Sequence, residues 1–185
     1  KTGTLTKNIM KFKKFWIPNN IRYGTYETPI AKKTKGFYDE RVVAGNWRRQ
    51  PNTNMFFDFF MILALCHTVT PENKNGKLVY EASSPDELTL VQYAAEMGFK
   101  VVARTENTIS LELYDDESES VKIVQFLILN VLHFNSDRKR MSVIVRVLDD
   151  IGAFRELFPL GQIFLLSKGA DEVMGTRVIR TDLAH

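Results

Sequence analysis

Three apolar segments, separated by short polar turns, constrain the fold of this chain most strongly. "TISLEL", "VKIVQFLILNVLHF" and "MSVIVRVL" are connected by "DDESES" and by a turn that contains Asn135, Ser136 and Asp137. Consecutive strands joined by turns this short must pair antiparallel. "VVART" before them and "QIFLLSKG" after them predict two further strands. The sequence therefore predicts a largely antiparallel β-sheet.

Two helices are predicted beside this sheet. Between residues 52 and 69, Phe56, Phe59, Phe60, Leu63 and His67 recur at helical spacing. "SSPDELTLVQYAAEMGF" carries a complete start signal, with Ser84 as cap, Pro85 at the first helical position, acids in the first turn and Gly98 as the stop. "KLVYEA" predicts a short strand and "TPENKNG" a loop. These elements together predict an α+β fold, with helices flanking the sheet.

Residues 1–15 predict a turn followed by a strand, and residues 16–51 a polar excursion with little regular structure. The segment "LDDIGAFRELFPLGQ" is longer than a hairpin needs and has no predicted role.

Charge and cysteine content limit the classes of function. Residues 1–50 contain 12 Lys or Arg and three acids, whereas the whole chain has a net charge of only +3. The single cysteine, Cys66, excludes an internal disulfide and lies in an apolar run typical of a buried, inert thiol. That run, "MFFDFFMILALC", is too short for a membrane helix. His67 on the same face fits a core histidine better than a metal ligand, and no paired His or Cys ligands suggest a zinc site.

Four separate segments carry candidate ligand-binding residues. Asp86 and Glu87 lie at a helix amino terminus, where the helix dipole alone would favour acids. Phe134 ends an apolar strand, so it is either one more core aromatic or an exposed ring at the mouth of a site. Lys139 belongs to a cationic run that could simply be solvated. Lys168 ends a strand and is followed by Gly169, which lets a ligand approach the backbone closely. Together they fit an adenine-and-phosphate pocket without a Walker loop.

The opening "KTGTLT" resembles the phosphorylation motif of P-type ATPases, Asp-Lys-Thr-Gly-Thr-Leu-Thr, whose nucleophilic aspartate would immediately precede Lys1. "LALCHTV", "YEASSPDE", "FNSDRKRMSVIVR" and "SKGAD" resemble, in this order, the nucleotide-binding domain of the type IV branch, the phospholipid flippases. The resemblance covers residues 1–15 and most of residues 52–172. It implies that residues 1–15 are a residual segment of the phosphorylation domain with its hinge, and that residues 16–185 form the nucleotide-binding domain. The sequence after "KGAD" does not match the Arg-containing segment with which the family usually continues.

The resemblance implies that Phe134 stacks on adenine and that Glu87 lies near the adenine amine. It also implies that Lys139 and Lys168, with Gly169, line the base and phosphate side of the pocket. Thr2 would offer its main-chain carbonyl to Mg²⁺. The expected cofactors are ATP and Mg²⁺.

The expected partners are the phosphorylation, actuator and membrane domains of the same parent protein, an accessory subunit and a transported phospholipid, but no nucleic acid. The chain would then be a cytosolic domain of an integral membrane protein. It would bind ATP without being catalytic alone, because the nucleophile lies outside it.

Three other interpretations remain open from the residues alone. A flippase-like domain could serve as a nucleotide sensor in a fused or regulatory protein. The basic amino-terminal arm and the Arg138–Arg140 run could bind nucleic acid, with an affinity that falls steeply with salt. The chain could also be an interaction domain with an empty pocket.

Overall fold

A computed structural model of the chain describes residues 9–17, 21–24 and 36–177. Its central feature is a five-stranded antiparallel sheet in which every strand pairs with its neighbours in sequence, in the order β5-β6-β7-β8-β9. These strands are Phe99–Arg104, Thr108–Asp115, Ser120–Asn135, Arg140–Val147 and Ile163–Gly169. The predicted α+β fold with a largely antiparallel sheet is confirmed.

Two helices cover one face of this sheet. Helix α1 is Thr53–Leu65 and α2 is Pro85–Glu96. The start signal of α2 works as predicted, since the Ser84 side chain accepts a hydrogen bond from the main-chain N–H of Glu87 at 3.4 Å. Gly98 follows the helix with a φ of +95°, a backbone conformation that favours glycine. A short helix α3, Asp171–Met174, follows β9.

Helix α1 ends four residues before the predicted position, at Leu65 rather than Val69. His67 explains the early end, because its ring supplies hydrogen bonds that a further helical turn would otherwise make. Its Nε2 lies 2.8 Å from the carbonyl oxygen of Ala64, and its Nδ1 lies 3.0 Å from the main-chain nitrogen of Val69. Since a main-chain N–H can only donate, Nδ1 accepts and Nε2 carries the proton.

The described part of residues 16–51 is more regular than the sequence predicts. Strands β1 (Phe15–Ile17) and β2 (Ile21–Tyr23) form a small antiparallel hairpin, and Val43–Arg49 forms a 3-10 segment that is kinked at Ala44 and Gly45. The predicted strand before Phe15 is absent from residues 9–14, which have no regular secondary structure. Aromatic packing explains why this region is regular, since the side chains of Tyr23 and Trp47 are buried. Because polar residues surround them in the sequence, hydrophobic periodicity does not predict that these two aromatic residues are buried.

Residues 70–76, predicted as a loop, instead begin a second hairpin. Strand β3 (Thr70–Lys74) pairs with β4 (Lys77–Glu81) through a two-residue turn. Asn75 and Gly76 have φ values of +54° and +76°, which a tight hairpin turn requires of both central residues. The pairing is therefore set by the turn, because β3 has no alternating apolar residues.

The segment between β8 and β9 packs on α1. The Phe154 ring stacks on Phe57, with centroids 4.0 Å apart, and Phe158 stacks on Phe164 at 4.3 Å. Buried Asp115, at the end of β6, accepts a hydrogen bond from the main-chain N–H of Ala153 at 3.2 Å. The long connection therefore extends the hydrophobic core. Among the described residues, none of the helices combines the length and the apolar character that crossing a bilayer requires.

Candidate functional site

The candidate site is a cavity of about 590 Å³ where the amino end of α2 meets the adjacent ends of β7, β8 and β9. The segment after α1 and the residues before α2 complete its wall. Its lining residues are Thr68, Ser83, Ser84, Asp86, Glu87, Leu90, His133, Phe134, Met141, Lys168 and Gly169. The cavity thus brings together Glu87, Phe134, Lys168 and Gly169, which come from three distant segments.

Glu87 is held from two sides in the first turn of α2. One carboxylate oxygen, Oε2, accepts hydrogen bonds from the main-chain N–H of Thr68 at 3.1 Å and from its hydroxyl at 2.7 Å. The other, Oε1, lies 2.8 Å from Nζ of Lys168. The side chains of Glu87 and Lys168 are only 15% and 21% exposed. The ion pair is therefore largely shielded from water.

Burial acts to raise the pKa of Glu87, but the hydrogen bond and charge of Lys168 and the hydrogen bonds of Thr68 outweigh it. The pKa of this carboxyl therefore lies below its usual value. At neutral pH the cavity thus contains a carboxylate beside an ammonium group, and each can engage a polar ligand. Thr68 was not among the predicted site residues, although "LALCHTV" lies in a segment that carries the resemblance.

Lys168 and Gly169 are positioned by the register of β9 against β8. Lys168 lies opposite Met141, and Gly169 lies opposite Arg140. A Cβ on Gly169 would lie 2.6 Å from the Cβ of Arg140 and 2.6 Å from the main-chain oxygen of Lys139. Glycine is therefore required for close packing of the strands at the cavity edge, whatever its contact with a ligand.

Replacing Gly169 with alanine should lower the free energy of unfolding by about 1–3 kcal/mol, because the added methyl group overpacks this strand pair. Urea unfolding followed by circular dichroism measures the change. Gly36→Ala is the matched control: a Cβ there would meet nothing within 4 Å, so we expect a change within about 0.5 kcal/mol. Equal stabilities of the two variants would contradict the close packing.

Phe134 lies near the end of β7, within an irregularity in the pairing of β7 with β8 that runs from Leu132 to Asn135. The residue is 61% exposed. After it, the Asn135 side chain accepts a hydrogen bond from the main-chain N–H of Arg138 at 2.7 Å and fixes the turn. Of the two readings left open by the sequence, the structure favours the exposed ring at a mouth over the core aromatic.

Two predicted site residues are not placed at the cavity. Lys139 is absent from its lining, and its ammonium group pairs with Glu172 just after β9. Lys139 adopts a φ of +48° in the β7–β8 turn, and its main-chain carbonyl accepts a hydrogen bond from the N–H of Ala170, just before α3, at 3.0 Å. Thr2 lies outside the described residues. Within the described ranges, no group of three or more His, Cys, Asp or Glu side chains is arranged to hold a metal ion.

Cys66 and His67 lie behind the cavity and are both fully buried. Burial raises the pKa of Cys66 to about 11 and lowers the pKa of His67 to about 3, with the charge of Arg104 adding to the second shift. The thiol is therefore protonated and the imidazole neutral at physiological pH. Both residues belong to the core, as the sequence predicts.

The chain is similar to known proteins over most of its length. A family model described as "P-type ATPase, cytoplasmic domain N" matches residues 56–178, which include the whole cavity lining. The chain is 42% identical to Phospholipid-transporting ATPase 10 of Arabidopsis thaliana and 38% identical to Phospholipid-transporting ATPase IC of Homo sapiens. Each alignment covers 97% of this chain, but only 16% and 14% of those two proteins. The chain belongs to the P-type ATPase family and corresponds to its cytoplasmic domain N, and the relatives it matches are phospholipid-transporting ATPases.

Proposed function

We propose that this chain is the ATP-binding domain of a P-type ATPase that moves phospholipid across a membrane. The observation that supports this most directly is the cavity that joins an exposed aromatic ring, a shielded carboxylate and an ammonium group. Phe134 offers a face on which a planar base can stack. Glu87 offers an acceptor for an exocyclic amine, and Lys168 offers positive charge to the base or the phosphates.

The dimensions of the cavity fit a nucleotide. About 590 Å³ lies within the range of small-molecule and cofactor sites. The site is open on the side of Phe134 and closed on the side of Glu87 and Lys168. An adenine ring would enter between the Phe134 ring and the first turn of α2, and the phosphates would extend toward solvent.

The reaction we propose is phosphoryl transfer by positioning. This domain would hold ATP so that an aspartate carboxylate on the phosphorylation domain attacks the γ-phosphorus; the bond to the bridging oxygen breaks, ADP leaves, and an aspartyl-phosphate forms. Mg²⁺, which would neutralise charge on the phosphates, would be held partly by the main-chain carbonyl of Thr2. The actuator and membrane domains of the parent protein, with an accessory subunit, would couple this step to phospholipid movement. The chain alone would bind the nucleotide without turning it over.

Phe134→Ala should weaken ATP binding by about tenfold or more, because stacking of one base on an aromatic ring contributes about 1–3 kcal/mol. An ATP titration of the chain by calorimetry or NMR at moderate salt measures the affinity. Leu165→Ala is the matched control, since Leu165 is 63% exposed on the edge strand β9 but does not line the cavity. We expect its affinity to equal that of the wild type.

The titration has two outcomes against the proposal. A wild-type chain that binds no ATP would contradict nucleotide binding itself. ATP binding that survives Phe134→Ala unchanged would place the nucleotide elsewhere. Lys168→Ala should also weaken binding, although it acts in addition through Glu87, which would lose its ion pair.

A further inference from the structure

Thr68 forms two hydrogen bonds with Glu87, one from its main chain and one from its side chain. Its main-chain N–H and its hydroxyl both donate to the same oxygen, Oε2, at 3.1 and 2.7 Å. Two donors on one oxygen fix both the position and the plane of the carboxylate. Neither donor belongs to α2, so Thr68 defines the orientation of Glu87 relative to the rest of the cavity.

Most of the acceptor positions of the Glu87 carboxylate are already occupied. An ionised carboxylate has about four acceptor positions. Thr68 occupies two on Oε2, and Lys168 occupies one on Oε1 at 2.8 Å. One position therefore remains, on the oxygen beside Lys168. A ligand can use it only by bringing a donor.

Thr68 is itself held rigidly between α1 and β9. The ring of His67 binds main-chain groups on both sides, those of Ala64 and Val69. The thiol of Cys66 lies 3.5 Å from the carbonyl oxygen of Leu166, two residues before Lys168. The end of α1 is thus attached to the strand that carries the other partner of Glu87. A residue so placed can orient a carboxylate without adjusting to each ligand.

We propose that Thr68 is a positioning residue that fixes Glu87 with a single free acceptor position, so that the preference of the site for a 6-amino purine over a 6-oxo purine depends on Thr68. The inference rests on the proposed function, because it assumes that a purine base enters the cavity. The 6-amino group of adenine donates to the free position on Oε1. In the same orientation, guanine would place its 6-carbonyl oxygen against the carboxylate, and two acceptors facing each other repel.

The test compares ATP with GTP on variants of the same chain. Thr68→Val removes the hydroxyl and keeps the main-chain N–H and nearly the same shape, whereas Thr68→Ser keeps the hydroxyl. Thr89→Val is the matched control on α2, because the Thr89 hydroxyl donates to Pro85 at 2.8 Å and does not touch Glu87. Calorimetric titrations give the ATP and GTP affinities of each chain.

We expect Thr68→Val to weaken ATP binding about threefold to tenfold, the effect of one hydrogen bond, and to change GTP binding little. The preference for ATP over GTP should fall accordingly. Thr68→Ser should retain the wild-type preference, and Thr89→Val should not change it. An NMR titration of the Glu87 carboxyl without nucleotide should show its pKa rising in Thr68→Val.

Three results would overturn the inference. Thr68→Val could leave the ATP-to-GTP preference unchanged, it could weaken both nucleotides equally, or Thr68→Ser could behave like Thr68→Val. If the wild-type protein binds ATP, each of these results refutes the positioning role of Thr68 but does not contradict the proposed function. If wild-type protein binds no ATP, the proposed function fails and the inference fails with it.

Discussion

Trp47→Ala should lower the free energy of unfolding by about 3–5 kcal/mol, the range observed when a buried Trp or Phe is truncated. Trp47 is fully buried in the 3-10 segment before α1. Its ring lies 5.5 Å from that of Phe60 and 5.4 Å from that of Phe99, measured between centroids. Truncation would open a cavity between α1 and β5, and the rigid rings around it cannot collapse to fill the space.

The indole also makes a hydrogen bond that alanine cannot replace. Its Nε1–H donates to the carbonyl oxygen of Met97 at 3.1 Å, at the end of α2. Trp47 therefore ties residues 43–49 to both helices and to the sheet. Its loss should remove packing and leave the carbonyl of Met97 without this donor.

Urea unfolding followed by circular dichroism measures the effect. Trp16→Ala is the control, because Trp16 is 53% exposed in β1, and we expect a change within about 0.5 kcal/mol. A loss below about 1 kcal/mol for Trp47→Ala would mean that residues 43–49 do not belong to the cooperative core. It would support the polar excursion that the sequence predicts for residues 16–51.

Sequence patterns predict the elements of this fold where one local signal suffices. Helix α2 is predicted correctly because Ser84 and Pro85 mark its start and Gly98 marks its end, and each signal acts on neighbours only a few residues away. The strands of the central sheet are predicted because their apolar residues form long runs between short turns. β3 was missed because its pairing comes from the Asn75–Gly76 turn and from its partner strand, and not from its own residues.

The burial of Tyr23 and Trp47 could not be predicted in the same way. Their immediate neighbours in sequence are largely polar. The rings that pack on them lie on other elements: Phe15 of β1 and Phe56 of α1 for Tyr23, and Phe60 of α1 and Phe99 of β5 for Trp47. Tertiary contacts decide such positions, and a window of neighbouring residues does not contain them.

The candidate site shows the same division. Glu87, Phe134, Lys168 and Gly169 each belong to a segment that resembles a known family, so the sequence selects them, and the structure places them around one cavity. The pairing of Glu87 with Lys168 joins residues 81 positions apart, and no local pattern contains it. Lys139 illustrates the opposite limit: the sequence gives it a role at the cavity, but its partner, Glu172, lies just beyond β9. Which lysine faces the cavity depends on the register of β8 and β9.

The stability of the chain should fall by about 2 kcal/mol between pH 7 and pH 5 because of His67 alone. Burial, aided by the charge of Arg104, lowers the pKa of this histidine to about 3 in the folded chain, from an ordinary value of 6.5. Below pH 6.5 the unfolded chain therefore binds a proton that the folded chain does not. Acidification therefore favours the unfolded state. The contribution of His67 to the free energy of unfolding is fully present above pH 6.5 and is lost progressively as the pH falls toward 3.

His67→Gln separates this effect from other titrating groups. A glutamine can still offer an N–H to Ala64 and an oxygen to Val69, but it does not titrate. We expect the variant to be less stable than the wild type at pH 7, because the smaller side chain packs less well. The difference should then narrow as the pH falls to 5, since only the wild type loses the contribution of a neutral imidazole. Urea unfolding at pH 7, 6 and 5 measures both curves.

If the free energies of unfolding of the wild type and of His67→Gln changed in parallel with pH, the assignment of His67 as a neutral, buried residue would be contradicted. If the variant does not fold, ring chemical shifts of His67 in the wild type decide the question, since they should report a neutral Nε2–H tautomer down to pH 5. The protonation state matters beyond stability. A protonated ring would have no acceptor for the N–H of Val69. The turn carrying Thr68 would then lose its anchor, so protonation of His67 would disturb the cavity through the residues that support Glu87.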